Sequence, residues 1–119
     1  MNEWSSFSAA IAFLSKVRVF IQQKTIDILK FDIERSEWPA LAEMLREQSL
    51  RNVKQLLFEI HVGQSKGLVQ KYELLHDLET IGFRKFSVHV NHFNRIVTSS
   101  GRRFTGCYEL SYININFLI

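Results

Sequence analysis

Residues 25–38, with the sequence TIDILKFDIERSEW, decide the fold of this chain. Their near-continuous apolar run predicts a strand buried on both faces, as in parallel sheets. The apolar members are Ile26, Ile28, Leu29, Phe31 and Ile33. The run passes directly into a helix start, with Ser36 as N-cap and Pro39 in the first turn. Ligands of open α/β sheets bind beyond the carboxyl ends of the strands, so Asp32 and Glu34 are candidate site residues.

Hydrophobic periodicity predicts the order of the remaining elements. We expect an amphipathic lead-in helix within residues 1–22, helices at 37–49 and 68–81, and strands at 53–62, 86–90 and 107–117. Gly82 is placed to end the helix at 68–81 in the left-handed conformation. The last two strands are linked by a polar turn region at 98–106 with no room for a helix, so they are expected to be antiparallel. The fold class is therefore α/β, with two parallel strands and their helices followed by an antiparallel terminal hairpin.

Length, charge and cysteine content exclude several classes of protein. The chain has 119 residues, which favours one domain, and its net charge of +3 is scattered, which argues against nucleic-acid binding. Cys107 is the single cysteine, so no internal disulfide or multi-cysteine metal site is predicted, and a buried inert thiol is expected. The apolar stretch 7–14 is too short for a membrane span and lacks the flanks of a signal peptide. We expect a soluble chain whose compartment the sequence leaves undetermined.

Four segments resemble one family in the same order. Residues 26–38 resemble the Ile-Asp-x-Leu-Lys-x-Asp-x-Glu-Gly-x-Glu-Trp segment of the FkbM and methyltransferase-like 24 families of class I S-adenosylmethionine-dependent methyltransferases. Residues 55–61, 72–83 and 107–114 continue the match, so the resemblance covers about residues 20–118. It implies the carboxyl-terminal half of a Rossmann-like methyltransferase sheet, in which the last strand inserts antiparallel. The whole chain, 1–119, is then one partial methyltransferase-like domain.

Two departures from the family concern the cofactor. Position 35 is Arg where the family usually has Gly, which adds bulk and charge at the mouth of the site. The family's glycine-rich turn and ribose-binding acid belong to its amino-terminal half, for which we expect no counterpart in this chain. None of the five glycines here opens a strand-to-helix G-x-G turn. The resemblance therefore implies S-adenosylmethionine as the family's cofactor. We expect this chain alone not to bind it, and its cofactor-binding residues are unknown.

Side chains at the ends of two predicted strands form the candidate site. Period-two alternation places Lys30, Asp32 and Glu34 on one face of the first strand, and Glu59 and His61 on one face of the second. If the strands are parallel neighbours, these groups meet at one rim of the sheet. The hypothesis is a substrate or divalent-metal site in which Asp32 holds the reacting group and His61 is a base or ligand.

From this hypothesis we assign catalytic roles to Asp32, Glu34 and His61. Substrate contacts are assigned to Lys30, Glu59 and Glu37. No H-x-x-x-H or similar spacing is present, so no metal is predicted. A purely structural interpretation stays open, in which the acids cap helix starts, His61 is partly exposed, and Glu37 complements the helix dipole.

The function that the resemblance implies is methyl transfer from S-adenosylmethionine to an oxygen or nitrogen acceptor, although this chain alone is expected to be inactive. The alternative is a non-catalytic fragment or a protein-interaction module derived from that fold. The strand at 25–34 would be left as an open edge, so self-association through it is expected.

Overall fold

The predicted buried strand is β1, Ile26–Phe31, at one side of a four-stranded sheet. The computed structural model describes residues 12–15, 25–33, 36–61, 67–90, 95–97, 103–105 and 107–118. The elements are α1 (12–15), β1, α2 (Glu37–Glu47), β2 (Val53–His61), α3 (Leu68–Thr80), β3 (Phe83–Val90), β4 (Arg95–Val97), β5 (Arg103–Thr105) and β6 (Cys107–Asn114). Short 3-10 turns follow α2 at Ser49–Asn52 and β6 at Ile115–Phe117.

The sheet has the strand order β1-β2-β6-β3. β1 and β2 are parallel, and β6 is antiparallel to both β2 and β3, between which it inserts. This arrangement confirms the α/β fold class and the antiparallel insertion of the last strand. The polar turn region predicted at 98–106 contains β5, and β4 lies just before it, and these two strands pair as a separate antiparallel ribbon. Strands of three residues are too short to show a period.

Aromatic rings cross one face of the sheet and form its core. The ring of Phe58 stacks on Phe31 at 5.3 Å and on Tyr112 at 5.8 Å. Both described long helices cover this face, because a groove on it is lined by Trp38 of α2 and Leu75 of α3 together with Ile60, Tyr108 and Leu110 of the strands. We call it the core face. A first strand buried on both faces, as the sequence predicted, would need helices on both faces of the sheet, but α2 and α3 lie on the same one.

The opposite surface of the sheet is the polar face, and it corrects the prediction for β1. Lys30 of β1 pairs with Leu57 of β2, which pairs with Ser111 of β6, so these three side chains share this face. The polar residues of this face are Lys30, Gln55, Glu59, His61, Glu109 and Ser111. β1 was predicted to be buried on both faces, yet Ile28 on this face is 57% exposed whereas Phe31 on the core face is 3% exposed. The reason is that α2 and α3 cover only the core face.

The lead-in helix is described only in part. Residues 12–15 are helical, and Phe13 contacts Phe31 with ring centroids 4.8 Å apart. The rest of the predicted segment 1–22 lies outside the described residues. Within the described residues, no helix is both long enough and apolar enough to cross a membrane.

A turn after β6 fastens the junction between α3 and β3. Gly82 ends α3 as predicted, with φ of +115°. The backbone N–H of Ile115 donates to the Gly82 carbonyl at 2.9 Å, and Asn116 Nδ2 donates to the Ile81 carbonyl at 2.9 Å. Asn114, which is 1% exposed, donates through Nδ2 to the carbonyl of Val53 at 3.0 Å. The carboxyl end of β6 thereby holds the start of β2 and the start of β3.

We expect Gly82→Ala to lower the free energy of unfolding by about 2 kcal/mol, since it combines a strained positive φ with loss of a hydrogen bond. A Cβ at Gly82 would lie 2.4 Å from Asn116 Nδ2. Gly67→Ala is the matched control, because Gly67 also has positive φ, +71°, but its added Cβ would meet nothing closer than 3.8 Å. Urea unfolding of both variants measures the difference. Equal losses would contradict the role of the Asn116 contact.

The self-association that the open edge implies stays a prediction. In the described part of the sheet, β1 pairs only with β2. We expect oligomers at tens of micromolar, reduced by Ile28→Lys because charge on an edge strand opposes pairing with another chain. Val69→Lys is the control, since Val69 is 67% exposed on α3, away from the edge. Light scattering that shows a stable monomer for the unchanged chain would refute the prediction.

Candidate functional site

The carboxyl ends of β1 and β2 meet at one rim, as their parallel pairing requires. A cleft of about 110 Å³ opens there on the polar face. The polar residues that line it are Lys30, Asp32, Glu59, Glu109 and Ser111. The structure therefore brings together three of the predicted site residues, Lys30, Asp32 and Glu59. Glu34 and the neighbouring Arg35 lie outside the described residues.

His61, at the end of β2, lies between two carboxylates. Its Nδ1 is 3.5 Å from Oε1 of Glu37, and its Nε2 is 3.7 Å from Oε1 of Glu59. The indole N–H of Trp38 donates to the carbonyl oxygen of His61 at 3.2 Å, which ties the first turn of α2 to the end of β2. Trp38 is buried and also makes this polar contact. A histidine oriented from one side presents its other nitrogen in a defined direction.

Glu37 is the most unusual electrostatic feature of the site. It lies in the first turn of α2, where the dipole interpretation places it, but its side chain is fully buried. Neither carboxylate oxygen has a hydrogen-bond partner among the described residues. Burial raises the pKa of Glu37 above its ordinary value of 4.5, against the opposing effects of its own backbone N–H and of His61. The carboxylates of Asp32 and Glu59 raise the pKa further. Such a group costs stability, so a structural role alone is a poor explanation for it.

Cys107 belongs to the same cluster, which the sequence did not suggest. It was expected to be a buried inert thiol, and it is buried, but its Sγ donates a hydrogen bond to the Glu59 carboxylate. Polar atoms of Glu59, His61 and Cys107 all lie within 4.8 Å of one another. The signal that would have found it is register, because Cys107 is the β6 partner of His61, and Glu109 is the partner of Glu59. His61 and Cys107 are 46 positions apart in the sequence, and the hydrophobic pattern of either strand does not show which residues pair between the strands.

We expect Glu37→Gln to raise the free energy of unfolding by about 1 kcal/mol at pH 7, because it removes a buried charge and keeps the shape. The folded-state pKa is raised, so the native state binds more protons than the unfolded state, and the cost of the carboxylate grows as pH rises. The gain is therefore full above the raised pKa and disappears as pH falls toward 4.5, the ordinary value. Urea unfolding of both proteins across this pH range measures the gain, and a chelator in the buffer keeps contaminating metal ions away from the carboxylates. A gain that does not depend on pH would contradict the explanation.

Comparison with known proteins identifies the family. A family of methyltransferase domains matches residues 2–113. The chain is similar to proteins named "Probable methyltransferase-like protein 24" from Rattus norvegicus and Homo sapiens, at 32% identity over 100 residues in each case. These alignments cover 75% of this chain but only 28% and 27% of the relatives, so the chain spans little more than a quarter of their length. No solved structure matches. The chain belongs to this family of methyltransferase domains.

Proposed function

We propose that this chain forms the acceptor-binding side of a methyltransferase that uses S-adenosylmethionine and methylates an oxygen or nitrogen atom. The observation that carries the proposal is the cluster of acids around His61 at the carboxyl ends of two parallel strands. Ligands of open α/β sheets bind at this position. The match of residues 2–113 to a methyltransferase domain supplies the reaction class.

Methyl transfer requires that the acceptor be held in line with the methyl group and that it lose a proton. Asp32 is exposed at the cleft and is suited to accept a hydrogen bond from the acceptor's O–H or N–H group. His61 is suited to take the proton at Nε2, because Glu37 faces its Nδ1 at 3.5 Å and stabilises the imidazolium that forms. Glu34, predicted as a third catalytic residue, stays a prediction.

Two of the three remaining predicted residues contribute to acceptor binding. Lys30 and Glu59 line the cleft with opposite charges, which suits an acceptor that carries both polar and charged groups. Glu37 is fully buried, so its proposed role is to orient His61 rather than to touch the acceptor.

S-adenosylmethionine supplies the methyl group in this family, and the described residues do not form a cradle for it. Such a cradle needs a tight glycine turn between a strand and a helix, where the backbone approaches the ligand closely. The two glycines with described geometry, Gly67 and Gly82, are the N-cap and the residue after the C-cap of α3. We propose that other sequence of the intact methyltransferase holds the cofactor.

The first test is a calorimetric titration of this chain with S-adenosylmethionine. We expect no binding tighter than about millimolar, which corresponds to roughly 4 kcal/mol. A chimera is the positive counterpart, in which this chain replaces the matching segment of the rat relative. We expect the chimera to bind the cofactor and to release S-adenosylhomocysteine with hydroxyl or amine acceptors. A micromolar dissociation constant for the chain alone would contradict the assignment of the cofactor site to other sequence.

The second test is Asp32→Asn in the chimera, which we expect to lower turnover about 100-fold, the usual scale of loss when a reactant is held slightly out of place. The change preserves shape, so cofactor binding and the unfolding midpoint should stay the same. Asp27→Asn is the matched control on the same strand, since Asp27 is exposed at the opposite end and pairs with Lys54 at 3.1 Å. Equal turnover in the two variants would refute the role of Asp32.

A further inference from the structure

We propose that Glu59, His61 and Cys107 bind a divalent cation of the Zn²⁺ type, with Glu37 as the carboxylate that orients the histidine. The three side chains offer one oxygen, one nitrogen and one sulfur ligand, all within 4.8 Å of one another. Three protein ligands with a fourth position left for water or substrate form the usual zinc site of enzymes. The thiolate favours Zn²⁺ over Mg²⁺ and Ca²⁺, which prefer oxygen ligands.

The backbone brings these ligands together. Glu59 and His61 are two residues apart on β2, so their side chains lie on the same face, and Cys107 is the antiparallel partner of His61 on β6. Ligands about 2.0–2.3 Å from a tetrahedral Zn²⁺ are separated by roughly 3.3–3.8 Å. His61 Nε2 and Glu59 Oε1 are 3.7 Å apart, which agrees with that spacing.

Glu37 is a second and independent indication of a ligand. It is fully buried, its oxygens have no hydrogen-bond partner among the described residues, and Oε1 lies 3.5 Å from His61 Nδ1. Histidines that bind a metal through one nitrogen commonly donate the other N–H to a carboxylate, which fixes the ring and raises its basicity. Glu37 occupies that position, and metal binding at Nε2 would require the Nδ1–H tautomer that faces it.

Cation binding changes the protonation of the cluster. The Cys107 proton, which is donated to Glu59 in the structure, is released to solvent, and the Sγ–H bond is replaced by a bond from the thiolate to the cation. The same Nε2 atom takes a proton in the proposed methyl transfer, so cation binding and proton uptake exclude each other there. The cation site uses residues of this chain only, and it can be tested without cofactor or acceptor.

The test is a titration of the reduced chain with Co²⁺, a spectroscopic substitute for Zn²⁺, followed by displacement with Zn²⁺. We expect one Co²⁺ per chain, a thiolate-to-cobalt absorption band in the near ultraviolet, and the visible bands of tetrahedral cobalt. Cys107→Ser should abolish the thiolate band, and His61→Gln and Glu59→Gln should each weaken binding at least tenfold. Glu37→Gln should keep the band and weaken binding about 10- to 100-fold.

Glu109→Gln is the matched control, because Glu109 is the strand partner of Glu59 and lines the same cleft but is not part of the cluster. It should bind Co²⁺ as the unchanged chain does, and circular dichroism should show that each variant is folded. The proposal is overturned if the unchanged chain gives no thiolate band. It is also overturned if Glu109→Gln weakens binding as much as Glu59→Gln, or if Mg²⁺ displaces Co²⁺ as well as Zn²⁺ does.

Discussion

The structure depends on the antiparallel insertion of β6 between β2 and β3. Alternation along this strand sends Tyr108, Leu110 and Tyr112 to the core face, and Cys107, Glu109 and Ser111 to the polar face. A shift of one residue would exchange the two sets and would place a carboxylate and a thiol under the helices. The buried Asn114 and the turn after it hold this register from the far end of the strand. One register therefore sets both the hydrophobic core and the composition of the candidate site.

The core face shows what correct register stabilises. Tyr112 is fully buried beside the Phe58 ring, and burial raises the pKa of its hydroxyl to about 12, with Glu79 adding to the effect. The ammonium of Lys85 lies 5.9 Å from the centre of the same ring, and Lys85 is the β3 partner of Tyr112. The aromatic row therefore continues across the sheet from β1 to β6 and is covered at its end by a cation. α3 contributes one fully buried residue, Leu78, to the core.

The sequence was sufficient for elements whose signal is local. The apolar run of β1, the helix start at Ser36 and the helix end at Gly82 each follow from neighbouring residues, and the structure has them. The connection between the last two predicted strands leaves no room for a helix, and this also indicated their antiparallel pairing. The exposure of Ile28 was not predictable in this way, because it depends on which face the helices cover. Cys107 and Glu109 lie at the site because β6 pairs with β2, which is far away in the sequence. The residue pattern of one strand carries no information on such long-range pairing.

Charge balance at the rim limits what can bind there. Asp32, Glu37 and Glu59 lie close enough together for the first and third to raise the pKa of the second. Among the described residues that line the cleft, Lys30 is the one fixed positive charge. With Glu109, which also lines the cleft, four carboxylates near one ammonium and one imidazole leave an excess of negative charge, although the whole chain carries +3. Carboxylates that repel one another are stabilised by a cation, whether this is a metal ion or an imidazolium that has taken a proton. Both proposals for His61 meet this electrostatic requirement, and they differ in whether a metal ion or a proton occupies Nε2.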